Sequence, residues 1–440
     1  MKIVGKLALV AALLVAAPSS AQTTSVFSAG AESAIQSVLP RMIAWRRDFH
    51  QHPELSYEEV RTSRIVAAHL RSLGLEVRTG VAQTGVVGVL RGGRPGPVIA
   101  LRADMDALPV TEEVDLPFAS RVRATYNGQP VGVMHACGHD THTAVLMAAA
   151  TVLSQRRSEV AGTVIFVFQP SEEGAPAGGL GGAQRMLHEN VFGDLHPEVV
   201  YGLHAWPTPT GTVTIASGPF MAGADQMNIV VHGRQTHGAQ PHRGIDPIVV
   251  SSEIVQALQT IPSRQMDAVR SPVIITIGSI HGGVRYNIIP DRVEMQGTIR
   301  YLNPETRDDL YARIRRTVEQ VAASAGTTAE VTIQHNAIPV VNPSEATART
   351  RMALARALGE QNVLTDQPNM VAEDFAYFQQ GQPGVFFFYG VSPPGVSVAD
   401  AAPNHSPRFF VNEPAMETAL RAILAVTLDR VGPAQEAASP

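Results

Sequence analysis

The sequence is poor in lysine and cysteine, because its 440 residues include two lysines, Lys2 and Lys6, and one cysteine, Cys137. Every permanent cation after residue 6 is an arginine, which excludes a Schiff-base lysine, a Ser-Lys dyad and a P-loop lysine from the remaining chain. A single cysteine also excludes an intramolecular disulfide. The lone thiol therefore needs another explanation.

Basic charge is also scarce, since the chain after residue 6 carries 32 arginines against 39 acidic residues. Nucleic-acid binding needs a concentrated basic surface to displace counterions, so this acidic balance argues against it. Hydrophobic residues make up 45% of the chain, enough for two sizeable cores, and the 37 glycines and 31 prolines are dispersed rather than repetitive. We expect a globular, two-domain protein that acts on a small molecule.

Long hydrophobic runs are missing beyond the N-terminal region. Lys2 and Lys6 precede an apolar run over 7–17, and small residues follow at 18–21. This pattern is typical of a secretory signal peptide, so we expect cleavage after residue 21 and export to the periplasm or the outside medium. The run is too short for a bilayer core of about 30 Å, and no stable membrane insertion is expected.

Helix-like and strand-like patterns alternate over the first half of the chain. They predict two helices within 33–73, a helix at 143–155, and buried strands at 85–90, 97–101, 162–169 and 199–203. Strands that alternate with helices predict an α/β fold with helices on both faces of a sheet.

The pattern changes near residue 218. Strands are then predicted at 227–231, 273–280 and 293–300, and amphipathic helices at 248–259 and 304–323. The first pattern returns with a helix at 346–358, a strand at 384–389 and a helix at 414–431. The sequence therefore predicts a two-domain α/β protein in which an inserted α+β domain, 218–335, separates two catalytic segments, 22–217 and 336–433.

The densest chemical signal is the segment 135–142, which places His135, Cys137, His139 and His142 around Gly138. Thiolate and imidazole are ligands for zinc and similar divalent metals, and a pair at i and i+2 across a turn can face one cation. One such residue alone would be an ordinary buried side chain. The cluster instead predicts a metal site.

Further potential ligands follow predicted strands or lie in a proline-flanked loop. They are Asp104, Asp106, Glu172, Glu173, His204 and His405. Because the carboxyl ends of parallel strands meet at one edge of a sheet, we expect these side chains to converge. Two adjacent carboxylates can also divide the work, one holding a metal and one taking a proton from water.

Six motifs occur in the order in which they occur in the M20 metallopeptidase family, and they resemble its amidohydrolase branch of N-acyl amino acid, hippurate and auxin-conjugate hydrolases. The motifs are Leu-Arg-Ala-Asp-Met-Asp-Ala-Leu-Pro at 101–109, the segment 135–142, Ser-Glu-Glu-Gly at 171–174, Thr-His-Gly-Ala-Gln-Pro-His at 236–242, Asn-Ile-Ile-Pro at 287–290 and Ala-Glu-Asp-Phe at 372–375. The resemblance covers nearly the whole chain from about residue 50. It implies an α/β metal-binding domain and an inserted lid domain that dimerises.

The resemblance implies two divalent metal ions held by Cys137, His139, Glu173, His204 and His405. Zinc or manganese is expected, with cobalt or nickel as alternatives. Cys137 would bridge the ions, which would account for the lone thiol. Dipeptidase-like relatives have a histidine where this chain has Asp104, so Asp104 is left off the ligand set and its role stays open.

The same resemblance implies catalytic roles for three residues. Glu172 would be the general base that takes a proton from water and passes it to the leaving amine, and Asp106 would orient a ligand histidine. His237 of the insert would reach the partner subunit's active site and stabilise the oxyanion. Asn287 and Arg300 would contact the substrate, Arg300 through a free carboxylate.

The sequence thus predicts an exported, homodimeric, metal-dependent amidohydrolase that cleaves N-acyl amino acids to a carboxylic acid and a free amino acid. A carboxypeptidase or dipeptidase acting on short peptides is the alternative. A nucleophilic thiol at Cys137 beside His139 is a further hypothesis, but it leaves the other candidate ligands without a role. The last alternative hypothesis is a metal-binding receptor without catalytic activity. It is disfavoured because such a receptor would not need the general base Glu172.

Overall fold

The computed structural model describes residues 27–175 and 179–432. The predicted signal peptide, 1–21, lies outside the described residues, as does residue 433 at the end of the second predicted catalytic segment. Within the described ranges the α-helices are α1 (Ala29–Gln51), α2 (Val60–Ser72), α3 (His139–Gln155), α4 (Gly182–His188), α5 (Pro247–Thr260), α6 (Arg307–Ser324), α7 (Ser344–Leu358) and α8 (Ala415–Val431).

The strands form two larger sheets and three short pairs. In chain order they are β1 (Glu76–Val81), β2 (Gly85–Arg91), β3 (Arg94–Asp104), β4 (Arg123–Tyr126), β5 (Gln129–Gly132), β6 (Ala161–Gln169), β7 (Val199–Pro209), β8 (Val213–Thr214), β9 (Gly218–Met221), β10 (Gly223–His232), β11 (Thr236–His237), β12 (Val273–Gly282), β13 (Ile288–Ile289), β14 (Arg292–Tyr301), β15 (Ala329–Ala337), β16 (Val340–Asn342), β17 (Val363–Leu364) and β18 (Gly384–Ser392).

The larger sheet has eight strands in the order β1-β2-β6-β3-β7-β18-β8-β17. Its centre, β6-β3-β7-β18, is parallel, whereas β1 and β2 pair antiparallel at one edge. A parallel centre is covered on both faces, which is why its strands are continuous apolar runs. Strand β18, for example, is buried along its whole length.

Two hydrophobic cores lie on opposite faces of this sheet. Helices α1, α2, α3 and α8 cover one face, where α3 is buried at every position from 139 to 153. Helix α4 and the 3-10 turn Asp374–Gln380 cover the other face. The predicted α/β class with helices on both faces is confirmed, as are the helices and strands predicted on either side of the insert.

The smaller sheet has four antiparallel strands in the order β12-β14-β10-β15. Helices α5 and α6 cover one of its faces and enclose a separate core. The helices and three of the strands lie where the sequence predicts them, but β15 was not predicted. This edge strand alternates exposed polar residues with half-buried ones, so its apolar signal is weak.

A two-stranded antiparallel ribbon joins the two sheets, because β9 on the way in pairs with β16 on the way out. The ribbon lies close to both predicted junctions, near 218 and 336, although the domain boundaries themselves stay predictions. Among the residues that the structure describes, no helix is both long and apolar enough to cross a membrane.

His69 of α2 is buried against α3, where its Nε2 lies 3.2 Å from the Met147 carbonyl oxygen and 3.0 Å from Thr151 Oγ1. Its ring packs on Trp45 with a centroid distance of 4.5 Å. Burial lowers the pKa of His69 from 6.5 to about 4. The unfolded chain therefore binds a proton here from pH 6.5 downwards, whereas the folded chain does so only near pH 4.

We expect the stability contributed by His69 to be complete above pH 6.5 and to fall between pH 6.5 and pH 4. The midpoint of thermal unfolding should drop more between pH 7 and pH 5 in the wild type than in His69→Gln, which keeps an amide donor and does not titrate. Both proteins share every other titrating group, so the difference isolates His69. Equal drops in the two proteins would contradict the assignment.

Candidate metal centre

The polar side chains predicted to converge come together at the carboxyl edge of the central parallel strands. Strand β3 ends at Asp104, β6 is followed by Glu172 and Glu173, and His204 lies on β7. Helix α3 begins at the same edge with His139. Open α/β sheets bind their ligands at this edge.

Gly138 makes the turn that leads into α3. It has a φ of +92°, and a Cβ at this position would lie 2.8 Å from the Cβ of Ala205 on β7. Backbone conformation and space therefore both require glycine here. The turn places Cys137 directly before the helix and His139 at its first position, with both side chains close to β7.

The loop that carries His405 is tied to the same turn. His405 has a φ of +68°, and its N–H donates to the Ala136 carbonyl oxygen over 2.8 Å. Asn404 Nδ2 donates to the carbonyl oxygens of Cys137 and Ala205, at 3.3 and 3.2 Å. The strained backbone of His405 is thus held in place by hydrogen bonds from both sides.

All five predicted ligands lie together, in two groups that share the thiol. One group is Cys137, His139 and His204, the other is Cys137, Glu173 and His405, and in each group the donor atoms lie within 4.8 Å of one another. Cys137 Sγ is 3.4 Å from His204 Nε2 and 3.3 Å from His405 Nε2. His405 Nε2 is 3.1 Å from Glu173 Oε1.

Hydrogen bonds at Nδ1 determine which nitrogen two of the histidines present. His139 Nδ1 lies 2.9 Å from the Asp106 carbonyl oxygen, and His204 Nδ1 lies 2.8 Å from the Ala205 carbonyl oxygen. An N–H must stand at each of these positions, so Nε2 is the nitrogen that each ring can offer to a metal. In the described part of the chain, His139 Nε2 is buried and has no hydrogen-bond partner.

Asp106 lies where an orienting group is expected. Its Oδ1 is 3.3 Å from His139 Nδ1, and its Oδ2 accepts hydrogen bonds from Ser56 Oγ at 2.8 Å and from the Glu173 N–H at 3.0 Å. One buried carboxylate therefore touches two of the predicted ligands. Groups in this position usually fix the ring orientation and the tautomer of a metal-ligating histidine.

His142 lies in the cluster but has no nitrogen left for a metal. Its Nδ1 donates to Asp104 Oδ1 over 2.6 Å, and its Nε2 accepts the Ala205 N–H over 2.8 Å. The pairing between β3 and β7 ends at Arg102 and Gly202, so β3 no longer supplies an acceptor for that N–H. His142 replaces it.

His135 is the one histidine of the sequence cluster that belongs to no donor group among the described residues, whereas His142 forms one with Asp104 and His139. Its ring is buried, and neither nitrogen has a hydrogen-bond partner among the residues described. Burial lowers the pKa of His135 to about 4, so the ring is neutral near pH 7.

The thiol and carboxyl groups of the site can be deprotonated together only if positive charge is added. Burial raises the pKa of the Cys137 thiol well above its usual range, and Glu173 and Glu172 raise it further. Burial also raises the pKa of Glu172, with Glu373 and Glu173 as the next causes. A thiolate beside these carboxylates is therefore stable only with a cation bound. Thiolate, imidazole and carboxylate donors with a free Nε2 fit two divalent ions of the zinc or manganese type.

Sequence reasoning missed the buried ion-pair network behind Glu172. Arg102 lies 2.6 Å from Asp104, 2.8 Å from Glu373 and 3.1 Å from Asp374, and the Asp374 N–H points at Glu172 Oε1 over 3.4 Å. Removing one partner of such a buried pair costs about 3–5 kcal/mol. Two features of the sequence could have indicated this network. One is Arg102, an arginine next to an apolar strand, and the other is the motif at 372–375, to which the sequence analysis gave no role.

The insert contributes one wall of a cleft of about 1070 Å³ over the ligand cluster, and Arg300 lines it. His237 and Asn287 are not among the residues that line this cleft within the described chain. They lie near each other instead, because β11 pairs with β13 and the Gly238 N–H donates to the Asn287 carbonyl oxygen over 2.8 Å. One subunit therefore does not bring all the predicted site residues together.

Two donor groups that share a thiol, with a carboxyl group beside them and a cleft above, define a dinuclear metal hydrolase of the α/β class. Residues 100–429 match the model of peptidase family M20/M25/M40, and the chain belongs to this family. The family resemblance, the fold class and the enzyme class predicted from the sequence are confirmed.

Relatives with assigned names are similar over most of their length. Thermostable carboxypeptidase 1 of Saccharolobus solfataricus is 43% identical, over 84% of this chain and 91% of the relative. The N-acetylcysteine deacetylase of Bacillus subtilis is 37% identical, over 86% of this chain and 94% of the relative. The crystal structure of the YXEP protein of Bacillus subtilis, a dinuclear metal binding peptidase from the M20 family, superposes with a TM-score of 0.74 at 33% identity, over 89% of this chain and 98% of that one.

The shared thiol predicts a difference between two variants. Cys137→Ala should bind at most one ion per subunit after equilibration with zinc or manganese, because both donor groups lose a member. Glu172→Gln should still bind two ions, since Glu172 belongs to neither of the groups that contain Cys137, and it serves as the matched control. Glu172 does lie within donor distance of His139 and Glu173, so loss of an ion from this variant would make Glu172 a ligand. Metal analysis after gel filtration measures both. Two ions bound by Cys137→Ala with wild-type affinity would contradict the shared ligand.

Proposed function

We propose that the chain hydrolyses the amide bond of N-acyl amino acids, releasing a carboxylic acid and a free amino acid. The observation that carries this proposal is an unpaired guanidinium, that of Arg300, in the same cleft as Glu172 and the ligand cluster.

We also propose that the protein is exported, from the pattern at residues 1–21. An N-terminus of the mature protein that still contains these residues would contradict export.

Arg300 is half-buried, and its guanidinium has neither a hydrogen bond nor an ion pair with any described residue. Burial lowers its pKa, and among the described residues the charge of Asp225 acts against this effect. The Asp225 oxygens are already occupied, by Tyr311 Oη and by the Asn336 N–H. Leaving a guanidinium half-buried without a partner is costly, so Arg300 is suited to a ligand carboxylate, which it can bind through two parallel N–H groups.

The reaction follows from what the residues of the site can do. Two divalent ions, which the two donor groups would hold, would lower the pKa of water to about 7 and polarise the amide carbonyl. Glu172 lies beside these groups, and the Asp374 N–H holds its Oε1. Glu172 accepts a proton from the attacking water and then delivers it to the amide nitrogen, as the bond between carbonyl carbon and nitrogen breaks.

Relatives support two related substrate classes. N-acetylcysteine deacetylase and IAA-amino acid hydrolase ILR1-like 2 of Arabidopsis thaliana, which is 36% identical over 84% of this chain and 81% of the relative, act on acylated amino acids by their names. The similarity to thermostable carboxypeptidase 1 supports peptides as the second candidate class. Arg300 suits both, since an acyl amino acid and a peptide each end in a free carboxylate.

Release of free amine from N-acetylmethionine, hippurate, an indole-acetyl amino acid and a dipeptide tests the proposal. We expect the metal-loaded enzyme to cleave the acyl amino acids, chelator treatment to abolish cleavage, and added zinc or manganese to restore it. Glu172→Gln should lower kcat by about 10²–10⁴-fold, the usual contribution of a general acid–base group. Cleavage of the dipeptide alone would move the chain to the peptidases.

We further propose that the insert forms a homodimer, so that His237 acts in the partner subunit's site. His237 is exposed and lies outside the cleft of its own subunit. Just before β13, the strand that pairs with β11, Val284 and Tyr286 are 95% and 94% exposed, which is unusual for large apolar side chains. Edge strand β12 has further exposed residues, among them Ile280.

Mixed dimers test this arrangement. His237→Ala and Glu172→Gln should each be inactive alone, but a 1:1 mixture should recover about one quarter of wild-type activity, because half of the dimers are mixed and each of these has one intact site. A mixture of two His237→Ala preparations that carry different tags is the control for the mixing procedure. No recovery in mixed dimers confirmed by tag capture would show that His237 does not act across the interface.

A further inference from the structure

The face of the insert's sheet that looks into the cleft is polar and almost uncharged. Successive residues of a strand point to opposite faces, and Met227 and Ile299 are buried against α5 and α6 on the far face. Residues at the alternate positions line the cleft: the apolar Ala224 and Ile274, which are the register partners of Arg300, and the polar Gln226, Thr298, Arg300 and Gln334.

Strand register places these four side chains next to one another. Gln226 on β10 is paired with Thr298 on β14 and with Gln334 on β15, which makes a continuous row of neutral hydrogen-bonding groups across three strands. Arg300 lies two residues beyond Thr298 on the same strand and the same face. Side chains in such positions are about 5–8 Å apart, so one small ligand can touch Arg300 and the row together.

The charges around the cleft are strongly one-sided. Apart from the imidazoles of His204, His335 and His405, the Cys137 thiol and the Tyr126 phenol, the ionisable side chains that line it within the described residues are Glu172, Glu173, Glu373, Asp374 and Arg300, of which only Arg300 is a cation. The chain has no lysine after Lys6 that could add another. Arg102, the arginine behind the site, is buried and already paired with three carboxylates.

The insert's wall also lacks an available acid. Asp225 lies on the opposite face, because its register partner is Ile299, and its oxygens are bound to Tyr311 and Asn336. A cationic amino-acid side chain would therefore find no counter-charge on this wall. An acidic amino-acid side chain would find no cation on this wall besides Arg300.

We propose that this wall selects the amino-acid half of the substrate: Arg300 binds one α-carboxylate, and the row Gln226, Thr298 and Gln334 accepts an uncharged side chain. The inference rests on the proposed function, because it assumes an acyl amino acid with its carboxylate at Arg300. The side chain, which branches from the α-carbon one bond away, then lies against the neutral row. A second carboxylate there is desolvated without a cation beside it, so dicarboxylic substrates are rejected.

N-acetyl-L-glutamine and N-acetyl-L-glutamate provide the sharpest comparison, because they have the same shape and differ in one charge. We expect the metal-loaded wild type to show a kcat/KM at least ten-fold higher for the glutamine compound, mainly through KM. The measurement belongs at pH 8 and low ionic strength, where an ordinary imidazole is neutral and screening is weak.

Adding one cation to the row should reverse this preference. In Gln226→Arg, the kcat/KM for N-acetylglutamate relative to N-acetylglutamine should rise at least ten-fold. Gln296→Arg is the matched control: Gln296 lies on the same face of β14 but is not among the cleft-lining residues, so it adds the same charge away from the site. Its substrate ratio should stay at the wild-type value.

The outcomes separate this inference from the proposed function. Cleavage of both compounds with similar kcat/KM, or equal ratios in Gln226→Arg and Gln296→Arg, would overturn the selection by the neutral row while leaving the amidohydrolase in place. If the metal-loaded enzyme cleaves no acyl amino acid of any kind, the proposed function fails, and this inference fails with it.

Discussion

The close approach of Gly138 to Ala205 is the constraint on which the metal centre depends. Because Gly138 has no Cβ, the start of α3 can lie directly against β7. The backbone of Ala205 then serves three elements, since its N–H is bound by His142 and its carbonyl oxygen by His204 and Asn404. Helix α3, strand β7 and the His405 loop are thus fixed to one residue. Cys137 lies at their meeting point, which is why a single thiol can belong to both donor groups.

Charge balance links this geometry to chemistry. The site holds the buried carboxyl groups of Asp104, Asp106, Glu373 and Asp374 and the half-buried one of Glu172 against the one guanidinium of Arg102, so it has a deficit of positive charge. Divalent cations at the two donor groups would remove that deficit, and they would also make the Cys137 thiolate stable. The wall across the cleft has the complementary property, an unpaired Arg300 among neutral groups. One end of the cleft is built for cations, and the other end is built for a single anion.

Much of this could be predicted from the sequence, because apolar periodicity reveals buried helices and strands, and because thiol, imidazole and carboxylate groups are recognisable ligands. Strand β15 was missed since it is an exposed polar edge. The sequence alone also could not separate His139 from His142, which are three positions apart on one helix. The difference lies in where the pairing of β3 with β7 ends, and that is a tertiary property. The choice of His139 over His142 as a metal ligand came from the resemblance to a family and not from the spacing of the residues.

The most direct test of the account is a crystal structure of the metal-loaded protein with anomalous scattering data for zinc or manganese. The account predicts two ions, both bonded to Cys137 Sγ, at about 2.3 Å if the metal is zinc. One ion should also bind His139 and His204, and the other should bind Glu173 and His405. A single ion, or two ions of which only one contacts the thiol, would contradict the shared ligand at the centre of this site.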